Sequence, residues 1–218
     1  MILSRILALL IGYVFGLFET GYFYSKKQQI DLRRRGSGNI GATNTTRVMG
    51  VKAGIIVLVG DALKAFLALF AVRLLFRHAY PEGVCLLQFY AGAGVILGHD
   101  FPFYLQFKGG KGVASTFGIV AGSYPLMLIP EALIFFAILF ATQYVALCSM
   151  VCYTLLPIVF LAMSHMGWIT VPAAYVPEIA ILLALLALLT LWQHRSNIVR
   201  LKNGEESKFF DSLKKKEV

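Results

Sequence analysis

This chain is short of charge. Only 14% of its 218 residues are Asp, Glu, Lys or Arg, while 58% are hydrophobic. A soluble domain carries about 25% charged residues, so this composition cannot coat a globule in water. Acidic residues are scarcer still, 11 against 20 Lys and Arg, which leaves a net charge of +9. The high hydrophobicity excludes a disordered chain. The three cysteines, Cys85, Cys148 and Cys152, sit in apolar runs, and they offer neither a zinc spacing nor a disulfide framework. The four histidines, His78, His99, His165 and His194, form no HExxH or similar set, so no metal is expected. No GxSxG is present, which argues against a hydrolase-type serine.

What is abundant is long apolar runs. About 20 such residues cross a bilayer as a helix, so the chain has room for five to seven spans and no soluble domain of useful size. The expected fold is all-α, a single polytopic membrane domain over 1–218. The first run, Ile2 to Tyr24, is interrupted by Arg5 and Glu19. It lacks a small-x-small cleavage site and reads as an uncleaved span. Further runs cover Lys52 to Leu75, Val84 to Gly98, Tyr144 to Met166 and Ala173 to Gln193. Val113 to Gln143 would be about 46 Å long as one helix, against a hydrocarbon core of about 30 Å. It holds Pro125 and Pro130, and proline breaks helical hydrogen bonding. Two shorter helices meeting near Tyr124 and Pro125 fit better, giving seven spans.

Charge placement agrees with an odd number. Lys26, Lys27, Arg33, Arg34, Arg35 and Arg47 occupy the first polar segment, and Lys108 and Lys111 the second. Arg195, Arg200, Lys202, Lys208, Lys214, Lys215 and Lys216 occupy the tail. The positive-inside rule puts all three in the cytoplasm, with the N-terminus outside. The net positive charge then reads as topology and attraction to anionic lipid, with no nucleic acid as partner. Gly92, Gly94 and Gly98 are read as packing glycines that let helices approach closely.

Each basic segment holds a dense polar motif. Residues 33–47 contain Gly36, Gly38 and Gly41 in GxGxxG spacing, but no buried strand precedes them, so the dinucleotide reading fails. Anion binding fits better: the glycines free backbone N–H groups, and Ser37, Asn39, Thr43, Asn44 and Arg47 add donors. Residues 98–115 carry His99, Lys108, Gly109, Gly110, Lys111 and Gly112, which resemble half a P-loop. A Walker motif needs Ser or Thr after the lysine. The glycines and lysines opening a helix still suit a phosphate. In 194–206, His194 and Asn197 share a helix face, and Glu205 follows. Asp61 and Lys64 also share a face, inside an apolar span. A charge there costs about 2.5–3.5 kcal/mol on insertion scales, and a structural ion pair and a catalytic role are both open.

The three motifs together resemble the bacterial acyl-phosphate:glycerol-3-phosphate acyltransferases, the PlsY family. That family shows Gly-Ser-Gly-Asn-Ile-Gly-Ala-Thr-Asn, then Gly-His-x-Phe-Pro…Phe-Lys-Gly-Gly-Lys-Gly-Val-Ala, then His-Arg-x-Asn-Ile-x-Arg-Leu…Gly-x-Glu. All three stand here in order, end to end along the chain, and Asp61-x-x-Lys64 is similar too. Asp100 fills a variable position. No histidine is followed five positions on by Asp, so the HxxxxD arrangement of soluble and peripheral glycerolipid acyltransferases is missing. The resemblance implies acyl transfer from acyl phosphate to the 1-hydroxyl of sn-glycerol 3-phosphate, giving lysophosphatidate and phosphate. It implies no cofactor and a bacterial inner membrane, with membrane lipid around the chain and no obligate protein partner. Ser37, Arg47, His99 and Lys108 are then the candidate catalytic residues. Gly38, Asn39, Thr43, Asn44, Gly109, Gly110, Lys111, Gly112, His194, Asn197 and Glu205 are candidates for substrate binding. His99 is the preferred base and a substrate phosphate its rival, because no carboxylate is placed to orient His99 in an obvious triad. A phosphate transporter would instead show basic residues deep in several spans and an inverted repeat. A lipid-binding scaffold would leave the glycine-rich donor motifs unexplained.

Overall fold

The computed structural model describes residues 1–214; Lys215 and Lys216 of the basic tail lie outside the described residues. Among these residues every regular element is a helix. The α-helices are α1 (Ile2–Gly16), α2 (Thr20–Lys27), α3 (Ala42–Met49), α4 (Val51–Phe76), α5 (Val84–Asp100), α6 (Val113–Ser123), α7 (Leu128–Thr142), α8 (Val145–His165), α9 (Val176–Gln193), α10 (Arg195–Lys202) and α11 (Phe209–Lys214). Six segments are long and apolar enough to cross a bilayer, and α6 is a shorter apolar helix. The run Val113 to Gln143 does divide at Tyr124, where α6 stops and a 3-10 turn over Pro125–Met127 leads into α7. At about 1.5 Å per residue α6 reaches about half of a hydrocarbon core.

The first apolar run differs from its expected single helix. It breaks at Leu17–Glu19, and α2 starts afresh at Thr20. The break places the side chain of Glu19 completely inside the protein.

Large apolar side chains such as Leu63, Leu67 and Phe70 on α4, Leu133 and Phe140 on α7, and Leu185 and Leu188 on α9 are exposed. A soluble monomer does not carry such a girdle; lipid tails suit it. Helix α5 is the axis of the molecule, with 72% of its span buried against 11% for the segment containing α7. Its closest neighbour is α1. A side chain on Gly12 would run into the Ala91 backbone, and one on Gly94 into Leu9. Backbone contact of this kind is the use of small residues between membrane helices. Ala65, Leu69, Leu87, Val95, Ile96 and Ile119 form one core cluster, and Phe89, Met127, Leu156, Phe160, Ile179 and Leu183 a second.

The two ends of this bundle differ. At one end Met1 meets Tyr175 and Gly83, and Tyr124 donates to the Thr170 carbonyl. At the other end lie α2, α3, the glycine-rich segment before α6, and α10. Phe209 N–H donates to the Gln143 carbonyl there at 2.8 Å, so the α7–α8 junction and the tail helix share that end with the motifs. The N-terminus and the tail are therefore at opposite ends.

Candidate active site

Asn44 organises the first motif. It is buried, and its Oδ1 accepts from Ser37 N–H at 2.8 Å. Its Nδ2 donates to the carbonyls of Asn39 at 2.7 Å and Arg35 at 3.1 Å. Gly36 and Gly38 take positive φ, 58° and 75°, a region L side chains rarely enter. Asn39 Oδ1 accepts from Gly41 N–H at 2.9 Å and brings the chain into the N-terminus of α3. The amide of Asn44, expected to hold substrate, is thus used on its own loop. Ser37, Asn39, Thr43, Asn44 and Arg47 line the cleft described below, while Gly38 shapes the turn without lining it.

The second motif folds back onto the end of α5. Gly110 N–H donates to the His99 carbonyl at 3.0 Å, and Gly109 N–H to that of Asp100 at 3.1 Å. A side chain on Gly110 would strike Nε2 of the His99 ring, so the loop lies directly on that edge. Gly112, at φ 71°, opens α6. These glycines build the loop, and of the two lysines only Lys111 lines the cleft. Lys108 is exposed, which departs from its expected place in the catalytic set.

The third motif supplies a chain of polar contacts. Lys111 Nζ donates to Asn197 Oδ1. Asn197 Nδ2 donates to Glu206 Oε1 at 3.0 Å, and Arg200 Nε donates to Glu206 Oε2 at 2.8 Å. The expected Glu205 is exposed; its backbone N–H closes α10 on the Arg200 carbonyl at 2.8 Å. Glu206 takes the inward place after Gly204, at φ 72°, turns the chain at the end of α10. Burial, with Arg200 nearby, lowers the Lys111 ammonium to about 8. His194 is buried and lowered to about 4, by burial first and then by Lys111. Its Nδ1 lies 2.8 Å from the Thr190 carbonyl. A carbonyl only accepts, so Nδ1 carries the hydrogen.

Beneath the loop lies a cluster of four buried groups. His99 Nδ1 is 2.9 Å from Glu19 Oε1 and 2.8 Å from Lys64 Nζ. Lys64 Nζ is also 3.3 Å from Asp61 Oδ1 and 3.6 Å from Glu19 Oε1. Glu19, Asp61 and His99 could by themselves offer three metal ligands. The Lys64 ammonium, however, stands among those ligand atoms where a cation would go.

One cleft of about 460 Å³ joins these parts. Its polar wall includes Arg47, Lys111, His194 and Asn197, with His99 and Asp61 deeper in. Its apolar wall includes Ile55, Leu58, Phe135, Phe136, Leu139 and Val145. Sequence reasoning missed Glu19, Glu206 and the lining by Phe209 from the tail. A charge inside an apolar run was the one available signal for Glu19. Two cations and a helix N-terminus favour an anion, and the adjoining wall favours an apolar chain.

Fold and cleft define a class: a helical integral membrane protein that brings an anionic group and an apolar group together at one end of its bundle. The chain belongs to the glycerol-3-phosphate acyltransferase family, whose model matches residues 6–204. It is 39% identical to a glycerol-3-phosphate acyltransferase of Halalkalibacterium halodurans over 202 residues, 92% of this chain and 93% of that one. It is 36% identical to the enzyme so named from Trichlorobacter lovleyi, over 91% and 94% of the two chains. Among solved structures it is similar to PlsY, an integral membrane glycerol 3-phosphate acyltransferase, in its glycerol 3-phosphate form. The TM-score there is 0.79 at 30% identity, covering 97% of this chain and 100% of that chain. The lysophosphatidic acid form matches with a TM-score of 0.78 at 28% identity.

Proposed function

We propose that this acyltransferase uses acyl phosphate as its donor. It transfers the acyl group to the 1-hydroxyl of sn-glycerol 3-phosphate, giving lysophosphatidate and inorganic phosphate. The observation that carries this reading is the two-sided cleft, with Arg47 and Lys111 on one wall and Phe135, Phe136 and Leu139 on the other. A dianionic acceptor and a lipid-like mixed anhydride need both walls at once.

The transfer is direct. The hydroxyl oxygen bonds to the acyl carbonyl carbon, the bond from that carbon to the phosphate oxygen breaks, and phosphate leaves with its electron pair. Phosphate leaves readily, so positioning and charge stabilisation supply the rate. Arg47, Lys111 and the Ser37–Asn39 turn hold phosphate, and His194 and Asn197 flank the acceptor. His194, neutral, can only hydrogen-bond there. The hydroxyl proton goes to His99; a phosphate oxygen of the substrate is the competing acceptor. Lys108, exposed, is left to attract anions to the entrance. No nucleotide, coenzyme A, metal or protein partner is needed.

Detergent-purified protein with acyl phosphate and labelled glycerol 3-phosphate should form lysophosphatidate without ATP or divalent metal. Equal or faster turnover with acyl-CoA would overturn the donor assignment. The site faces the cytoplasm of a bacterial inner membrane, because the motif end carries the basic segments. In a background lacking the native cysteines, a cysteine at position 82 should react with an impermeant thiol reagent from outside, and one at 208 should not.

A further inference from the structure

We propose that Phe209 is a specificity-determining residue for the acyl donor: its ring closes the motif end of the apolar wall and rests on the first methylene groups of the chain. This rests on the reading of the cleft as the site of acyl transfer.

Phe209 stands beyond residue 204, where the family match ends. The segment that carries it is tied at both ends. On the polar side the Glu206 carboxylate accepts from Asn197 and Arg200. Three residues on, Phe209 N–H donates to the Gln143 carbonyl at 2.8 Å, at the end of α7. The next ring, Phe210, stacks on Phe140 of α7, with centroids 6.4 Å apart and planes at 20°. Phe209 stands edge-on to Phe210, at 65°, and lines the cleft together with Ser207. Helix α11 also packs against α3. The segment therefore bridges the polar and apolar walls, and the Phe209 ring is held at the motif end of the apolar one. Phe209 is half-buried, which leaves a face of the ring for a ligand.

The rest of the apolar wall lies deeper. Phe136 is seven residues back from Gln143, about 10 Å along α7. An acyl chain whose carbonyl sits beside Arg47 and Lys111 and which runs into the bilayer passes Phe209 first and Phe136 later. Ile55, Leu58 and Phe136 are exposed, so the deeper part of the wall opens sideways onto lipid. The far end of a long chain then lies among lipid tails, where leaving or entering the protein changes its surroundings little. Recognition falls on the near end, where Phe209 separates the chain from water. Glycerol 3-phosphate is small and polar and gains little from an aromatic ring.

The test measures kinetics of the full chain in detergent with lauroyl and palmitoyl phosphate. Phe209→Ala should raise KM for either donor about four- to fifteenfold, the contribution of one or two buried methylene groups. The values of kcat and of KM for glycerol 3-phosphate should be nearly unchanged, and Phe209→Leu should recover most of the loss. An unchanged donor KM would overturn the proposal, and so would KM values for both substrates rising together, the mark of a general structural defect. A penalty larger for palmitoyl than for lauroyl phosphate would put the ring on the far part of the chain and overturn it as well. Fluorescence reads the contact directly, from Phe209→Trp in a chain that also carries Trp168→Phe and Trp192→Phe. An unreactive acyl phosphonate brominated near its headgroup should quench this tryptophan more than one brominated at the chain end, and the reverse order would sink the assignment. If the parent uses acyl-CoA and rejects acyl phosphate, the donor reading falls. The same variants assayed with lauroyl-CoA and palmitoyl-CoA then still decide what Phe209 does.

Discussion

The first apolar run carries two charges, Arg5 and Glu19, and the structure puts them to different uses. Arg5 meets Glu178 of α9 as a fork, Nε to Oε1 at 2.6 Å and Nη2 to Oε2 at 2.7 Å. Tyr90 of α5 donates its hydroxyl to the same carboxylate at 2.6 Å. One cation, one anion and one hydroxyl tie three helices together at the end away from the motifs. Glu19 instead joins a second carboxylate, an ammonium and an imidazole whose members His99 and Asp61 open on the cleft. In the sequence both are lone charges among apolar residues, each expensive to bury. What separates them is their partners. A matched pair holds helices; the other set brings an imidazole and a carboxylate to the wall of the cleft.

The sharpest way to widen this contrast is to remove the ring. His99→Ala should depress kcat by about 10²–10⁴ and erase the acidic limb of the pH profile. Burial keeps His194 near 4, so His194 is already neutral at neutral pH and does not supply a limb there. An effect on KM alone would make His99 a binding residue and send the proton to a substrate phosphate.

The next effect concerns phosphate. Lys111→Ala removes a charge-assisted contact worth about 1.5–3 kcal/mol, or about ten- to hundredfold in kcat/KM. Lys108→Ala, at an exposed position, should cost less. Lys111 is held down to about 8. It is charged below that pH and neutral above it, so kcat/KM should fall as pH rises through about 8. Lys111→Arg should move this basic limb upward, because a guanidinium does not deprotonate in this range. A limb that stays in place would assign it to another group.

At the opposite end the effect should be on stability alone. Glu178→Gln weakens the fork and leaves Arg5 without a full counter-charge. About 1–3 kcal/mol is at stake, read as a lower unfolding midpoint in detergent, with kcat within about twofold. A large loss of kcat with an unchanged midpoint would break the comparison.

The spans were legible because length and proline act locally. A segment of about 46 Å cannot cross a core of about 30 Å unbroken, and the chain divides at Tyr124 as Pro125 requires. The convergence of the three motifs was legible from their chemistry. The break at Leu17–Glu19 was not, because tertiary bonds from Lys64 and Asp61 hold it. Nor could the sequence separate Lys108 from Lys111, since three residues of a glycine loop can turn either one inward. Asn44 lines the cleft as expected of a ligand-binding amide, but the sequence did not show that its amide also ties its own loop together, through Ser37 N–H and the carbonyls of Arg35 and Asn39.

The smallest expected effect separates two adjacent glutamates. Glu205 is exposed and only its backbone is used. Glu206 accepts from both Asn197 and Arg200, and Asn197 in turn holds Lys111. Glu206→Gln keeps the size but removes the charge that faces Arg200 and partly offsets the lowering of Lys111. The basic limb should then move below about 8, and kcat/KM at neutral pH should fall by severalfold, about 1 kcal/mol of transition-state stabilisation. Glu205→Gln should leave both the limb and the rate in place. Were Glu205→Gln the more damaging change, the inward turn at Gly204 would not be the working arrangement, and Lys111 would owe its charge to a different partner.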